Sequence, residues 1–294
     1  MLTNDLENFR PQSAATRTSL ETVERIRLKS ASTVRESDQA EFYKISTGGD
    51  KRALPNHLAR SNLIALPSLG VKARVDGERL VSNQNVDLRY WGKRLSEKDG
   101  DLWMQLMHLG RRSTNRQKIK SHAATLLKAL KETEGGKQYS WLYGALDALA
   151  DAKFTIRIAA SNGHVTDVTA TGALHMIDCL EICRGNISFE IDPRWARLYA
   201  NNQYVLIDWP TRLSFGAKQA LAKSLLTYIC TSKESEQRRS VEWLRARFRY
   251  SSPMDKFKRS LRNALSLLEK AGVARNLRFQ KNSDGIEMAV WDRL

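Results

Sequence analysis

The chain lacks most of the features that settle a function at a glance. Its three cysteines, Cys179, Cys183 and Cys230, are too few and too unevenly spaced for a disulfide framework, which points to a reducing compartment. No apolar run approaches the ~18–20 residues that cross a bilayer, and the opening MLTNDLENFR has no basic-then-apolar leader pattern. No membrane partner is expected, and the expected location is the cytoplasm. A phosphate-binding loop is missing too. Gly135-Gly136-Lys137 is followed by Gln138 and lacks the upstream glycine, which argues against ATP hydrolysis. The histidines His57, His108, His122, His164 and His175 form no His-x-His pair, which argues against a rolling-circle nicking enzyme. His175, Cys179 and Cys183 are spaced by four residues, a pattern that fits no standard zinc site. Neither a metal nor a cofactor is expected.

Acid is what the chain has least of relative to its opposite. Lys and Arg number 48 against 32 Asp and Glu, a net charge of +16 in 294 residues. Such an excess predicts a polyanionic partner. Its placement narrows the choice. Lys233 to Lys281 holds fourteen bases against five acids, and Arg111 to Lys137 holds eight against two. These two segments carry nearly all of the excess, so two discrete anion-binding regions are expected rather than a generally basic surface.

The hydrophobic pattern divides the chain in two behind a polar arm. Residues 1–55 are rich in Ser, Thr, Glu and Arg and read as a flexible N-terminal arm, with one short amphipathic helix opened by Thr18 and Glu21. An apolar strand is expected over Asn62–Pro67 and another over Val86–Trp91. Ser96 with Asp99 caps a helix striped by Leu102, Trp103, Leu106 and Leu109. Ser121 is expected to start the next helix, and a third runs from about Gln138 to Asp151. A hairpin follows, Phe154–Ala160 and His164–Thr171, across an Asn162-Gly163 turn.

The second half repeats the plan. Strands are expected near 174–182 and 187–191, then a helix opened by Pro193 and a long helix opened by Ser214. Ser240 caps a short helix, and Ser252-Pro253-Met254-Asp255 reads as a capping box for a helix ending near Gly272. Val273–Gln280 and Ile286–Trp291 form a closing hairpin. The expected class is α+β, mostly helical. It comprises two tandem winged helix-turn-helix domains, 56–190 and 191–294, behind the arm.

The helix over 254–271 is the main candidate for reading DNA. At about 100° per residue, Phe257, Leu261, Ala264, Leu265 and Leu268 share a core face. Lys256, Lys258, Arg259, Arg262, Asn263 and Ser266 sweep the rest, with no acid among them. Arg and Asn suit guanine and adenine edges, while Lys suits phosphates. Arg275, Arg278 and Lys281 in the following hairpin suit a wing on the backbone. In the first unit the candidates are Lys137, Gln138 and Tyr139 at the start of the third helix. Arg111, Arg112, Arg116, Lys118 and Lys120 lie ahead of it, better placed for phosphates or for a protein partner.

Two rivals use the same residues differently. His108-Leu109-Gly110-Arg111 has the H-x-x-R form of tyrosine recombinases, with Tyr139 and Tyr143 downstream as nucleophiles. That form arises readily by chance in an Arg-rich chain, and no upstream catalytic arginine stands in context, so the chain is read as non-enzymatic. A winged-helix transcriptional repressor would use the same reading helix.

Pro55-Asn56-His57-Leu58-Ala59-Arg60-Ser61-Asn62-Leu63 resembles the stretch before the first winged helix of TrfA-type plasmid replication initiators. Gln84–Trp91 with the Leu- and Trp-rich helix after it, Tyr139, Arg197–Ile207 and Leu213–Tyr228 extend the resemblance over roughly residues 53–294. It implies tandem winged helices that bind direct repeats in double-stranded DNA at a plasmid origin. It further implies opening of the duplex with contact to single strands, recruitment of the host initiator and replicative helicase, and copy control through a monomer–dimer equilibrium. The arm has no Gln-Leu-x-Leu-Phe clamp-binding peptide. Gln105-Leu106-Met107-His108-Leu109 is a faint echo within an apolar helix face.

Overall fold

The computed structural model describes residues 45, 48–64, 73–80, 85–111, 118–159 and 165–294. The arm helix at Thr18–Glu21, the Asn162-Gly163 turn, Arg112 and Arg116 lie outside the described residues. So does the part of the expected 62–67 strand beyond Ile64, while Ile64 itself makes an isolated parallel bridge to Leu95.

The described chain opens with a strand at the end of the expected arm. β1 (Lys51–Pro55) pairs antiparallel with β10 (Tyr204–Asp208), placing Leu54 in the core. A single turn, α1 (Asn56–Ala59), follows. β2 (Arg74–Arg79) and β3 (Val86–Lys93) lead to α2 (Glu97–Gly110), whose Ser96–Asp99 capping box is formed in both directions. Two boundaries then differ from expectation. Ser121 lies in β4 (Ile119–His122), and His122 caps α3 (Ala123–Ala129) by accepting from the Ala124 amide at its Nδ1. α4 (Gly136–Asp151) completes the helical trio.

β5 (Lys153–Ala159) and β6 (Val165–Asp167) form the expected antiparallel pair. They belong to a larger sheet, ordered β2-β3-β5-β6, with β7 (Leu174–His175) also on β5. β8 (Asp178–Cys183) and β9 (Asn186–Glu190) join β4 in a separate three-stranded sheet. The first unit thus has the helix–strand–helix–helix–strand–strand order of a winged helix, with its strands drawn into two sheets.

A 3-10 turn at Pro193–Trp195 and α5 (Ala196–Tyr199) lead into β10. The expected long helix from Ser214 is two pieces. α6 (Trp209–Ser214) is capped by Asp208 and ends at Ser214, whose hydroxyl donates back to the Thr211 carbonyl at 2.7 Å. After a 3-10 turn at Ala217–Gln219 comes α7 (Ala220–Cys230). β11 (Glu236–Ser240), α8 (Val241–Arg247), α9 (Met254–Lys270), β12 (Ala274–Lys281) and β13 (Glu287–Arg293) then complete a compact winged helix with sheet order β11-β13-β12. Ser240 caps α8, accepting from the Trp243 amide at 3.0 Å. The capping box expected at Ser252–Asp255 does not form: the residue before α9 is Pro253, and no side chain caps it.

The apolar face read from the sequence is the face α9 buries: Phe257, Leu261, Ala264, Leu265 and Leu268. Each of the larger four contributes about 1.5–3 kcal/mol by leaving water. The fold is therefore α+β, two winged-helix units in tandem.

The units meet through buried charge. Arg212 of α6 is 1% exposed; its Nη2 lies 2.6 Å from Glu97 and its Nε 2.5 Å from Asp101, both on α2. Lys223 of α7 pairs with the other Asp101 oxygen at 2.5 Å, and Ser224 donates to Glu97. Arg247, at the end of α8, donates to the Ala59 carbonyl at 3.0 Å, and its burial lowers its pKa to about 10. Such groups hold a fixed docking geometry, because a shifted but closed interface would leave each of them buried without its partner.

Candidate nucleic-acid interface

The helix-turn-helix of the second unit is α8, the turn 248–253 and α9. Its turn is fastened to the first unit: Arg249, held at φ +51°, pairs with Glu78 of β2, which also pairs with Arg94 at 3.0 Å. The direction in which α9 presents its outer face is thus set partly by the first unit.

On that face Lys256, Arg259, Arg262, Asn263 and Ser266 are exposed. The other cations are not all free. Lys258 is half-buried and pairs with Glu287 of β13. Arg262 lies with its guanidinium 4.8 Å from the centre of the Phe279 ring on β12, which steadies the side chain while leaving its donors outward. In the wing, Arg278 pairs with Glu236, which Arg238 also engages. Arg275 and Lys281 are exposed. Lys256, Arg259, Arg275 and Lys281 have no ion-pair partner among the described residues.

Counting cations along the sequence overestimated the free charge. Arg245 donates to the Ser252 carbonyl, Arg247 is buried, and Arg239 engages Tyr228 and Glu234. The acids that take up Arg249, Arg278 and Lys258 come from β2, β11 and β13, up to 171 residues away. What is left is a compact exposed set on α9 flanked by the wing cations.

The first unit presents a different surface. The outer face of α4 holds Lys137, Ser140, Gly144 and Asp147, with Asp151 at its end bound to Arg74. Gln138 is half-buried. Tyr139 stacks on Tyr143 at 6.3 Å and donates to Glu134 at 3.1 Å. Desolvation first, and then the Glu134 bond, raise the Tyr139 pKa. Lys98 sits over the Trp141 ring at 3.8 Å and pairs with Glu132. Arg111 donates to the Ile45 carbonyl, and Lys118 pairs with Glu181 at 2.5 Å, whereas Lys120 is exposed on β4. The first-unit candidates therefore do not converge on one face, and α4 carries more acid than base beyond its first turn. Cys179 and Cys183 are exposed on β8, and no cluster of three or more metal-ligating side chains occurs among the described residues. No helix among those residues is long and apolar enough to cross a membrane.

No family model matches the chain, and no curated protein matches it in sequence. Solved structures do match its fold. A crystal structure of domains 2 and 3 of RctB superposes with a TM-score of 0.54 at 9% identity, covering 82% of this chain and 98% of that one. A second RctB structure, again of domains 2–3, gives 0.51 at 10% identity and covers 81% and 97%. The tandem arrangement of the described chain is thus similar in fold, over most of its length, to a two-domain piece of RctB.

Proposed function

We propose that the protein is a sequence-specific DNA-binding initiator of replication. The observation that carries this reading is the outer face of α9, where exposed Lys256, Arg259, Arg262 and Asn263 stand together with no carboxylate among them, beside a wing bearing Arg275 and Lys281. Arg262, braced on Phe279, is the best placed to read a base, and Lys256 and the wing cations suit phosphates. The fold likeness to RctB, a replication initiator, supports initiation over other uses of a winged helix. The finer reading follows the TrfA-type resemblance: a plasmid initiator in the bacterial cytoplasm that binds direct repeats, opens the duplex and engages host replication proteins.

The reading is non-enzymatic. Of the residues a recombinase would use, Arg111 donates to the Ile45 carbonyl and Tyr139 to Glu134, so both are engaged within the fold rather than turned to a scissile phosphate. Footprinting on the DNA flanking the gene tests the proposal. Protected repeats at regular spacing support an initiator, a single palindrome over a promoter supports a repressor, and no protection at any salt concentration refutes both.

A further inference from the structure

The side of α9 turned away from the wing borders a groove of about 510 Å³. Its opposite wall is the 3-10 turn Ala217–Gln219 and the first turn of α7. The lining offers the Lys218 ammonium, the Gln219 and Asn263 amides and the hydroxyls of Tyr250 and Ser260, but no carboxylate. Those two hydroxyls lie 2.7 Å apart in a hydrogen bond, so they are held in place. Lys218 is exposed and has no ion-pair partner among the described residues.

The charge around the groove has one sign. At about 100° per residue, Lys256, Arg259 and Lys270 fall within roughly 40° of Asn263, on the exposed face of α9 that borders the groove. The two acids of α9, Asp255 and Glu269, fall on the other side. Toward the wing, by contrast, α9 engages its own fold, Lys258 with Glu287 and Arg262 with Phe279. The groove is open and continuous with the exposed face of the helix. It is lined by donors and small alanines, which lets a chain of anions approach closely. We propose that it takes the sugar–phosphate backbone of one strand of duplex DNA, with Lys218 as the principal phosphate contact and Asn263 and Tyr250 beside it. The duplex is then gripped on the α7 side of α9 as well as on the wing side.

This inference rests on α9 being the DNA-reading helix, and the test separates the two. Binding of a 30-base-pair mixed-sequence duplex is followed by fluorescence anisotropy across a salt series. Lys218→Gln should weaken binding about tenfold at low salt and lower the salt slope by about 1, the signature of one lost phosphate contact. Lys233→Gln, the same charge change just beyond the far end of α7, should change the slope much less. Ala217→Trp, which fills the groove without altering charge, should weaken binding as well. The proposal is overturned if Lys218→Gln behaves like Lys233→Gln, or if Ala217→Trp binds like the unchanged protein. If the unchanged protein binds while Arg259→Ala and Arg262→Ala do not alter binding, α9 itself is misassigned. If Lys218→Gln alone is silent, only the groove is.

Discussion

Replacing Arg212 with methionine removes the centre of the charge cluster between the two units and keeps most of its volume. The guanidinium serves Glu97 at 2.6 Å, Asp101 at 2.5 Å, Thr227 at 2.7 Å and the Lys223 carbonyl at 3.1 Å, with 1% of its surface exposed. Without it, Asp101 keeps Lys223, but Glu97 is left buried with only the Ser224 hydroxyl. Removing one partner of a buried pair costs about 3–5 kcal/mol, and two carboxylates are affected here, so the upper part of that range is expected.

The loss should depend on pH in a definite sense. Burial already pushes the Glu97 carboxyl above its usual range while Arg212 pulls it back. A carboxyl raised in the folded state contributes stability at low pH and loses it as pH climbs through the folded value. Removing Arg212 raises that value further. Urea unfolding of Arg212→Met against the unchanged protein should therefore show a larger loss at pH 8 than at pH 5, and Glu97→Gln in the variant should recover part of it. A loss below about 1 kcal/mol, or one that is equal at both pH values, refutes the cluster as the tie between the units.

Three further outcomes follow from single residues. His57 is buried and its pKa falls to about 4, first through desolvation and then through Arg60; the unfolded chain therefore binds the extra proton, and stability should drop as pH falls from 6.5 toward 4. That term amounts to about 3 kcal/mol at its limit, and thermal unfolding of His57→Leu over the same range should lose it. Gly77 sits at φ +67° with the Trp91 ring 3.3 Å from where a Cβ would be, so Gly77→Ala should cost about 1–3 kcal/mol in chemical denaturation; an unchanged midpoint contradicts the assigned conformation. Glu78→Gln frees Arg249 and Arg94, both partly exposed, so stability should change by about 1 kcal/mol or less while duplex affinity shifts through the loosened turn. Equal affinity would mean the turn needs no bracing.

Local features of this fold were legible from local sequence. Ser96–Asp99 and Ser240 cap the helices they were expected to cap, and the five core residues of α9 were set by period alone. What escaped depended on distant partners. Lys51–Pro55 does not show an apolar alternation because Arg52 occupies one of its inward positions, and the strand that pairs with it lies some 150 residues on. The helix expected from Ser214 breaks because Phe215 turns extended and buries itself, a choice made by tertiary packing. The candidate interface shows the same limit. The cations of α9 and the wing could be counted in sequence, but Glu78, Glu236 and Glu287, which pair with Arg249, Arg278 and Lys258, come from other strands. Lys218 gave no signal, because its role depends on a groove between two helices joined only through the fold.

Selection of bound sequences from a randomised duplex pool is the most direct test of α9 as the reading helix. The unchanged protein should enrich one motif, and Arg262→Ala should lose preference at one base position at a cost of about 1–3 kcal/mol while keeping the rest. Enrichment of no motif, or of the same motif with the same weights by both proteins, contradicts it.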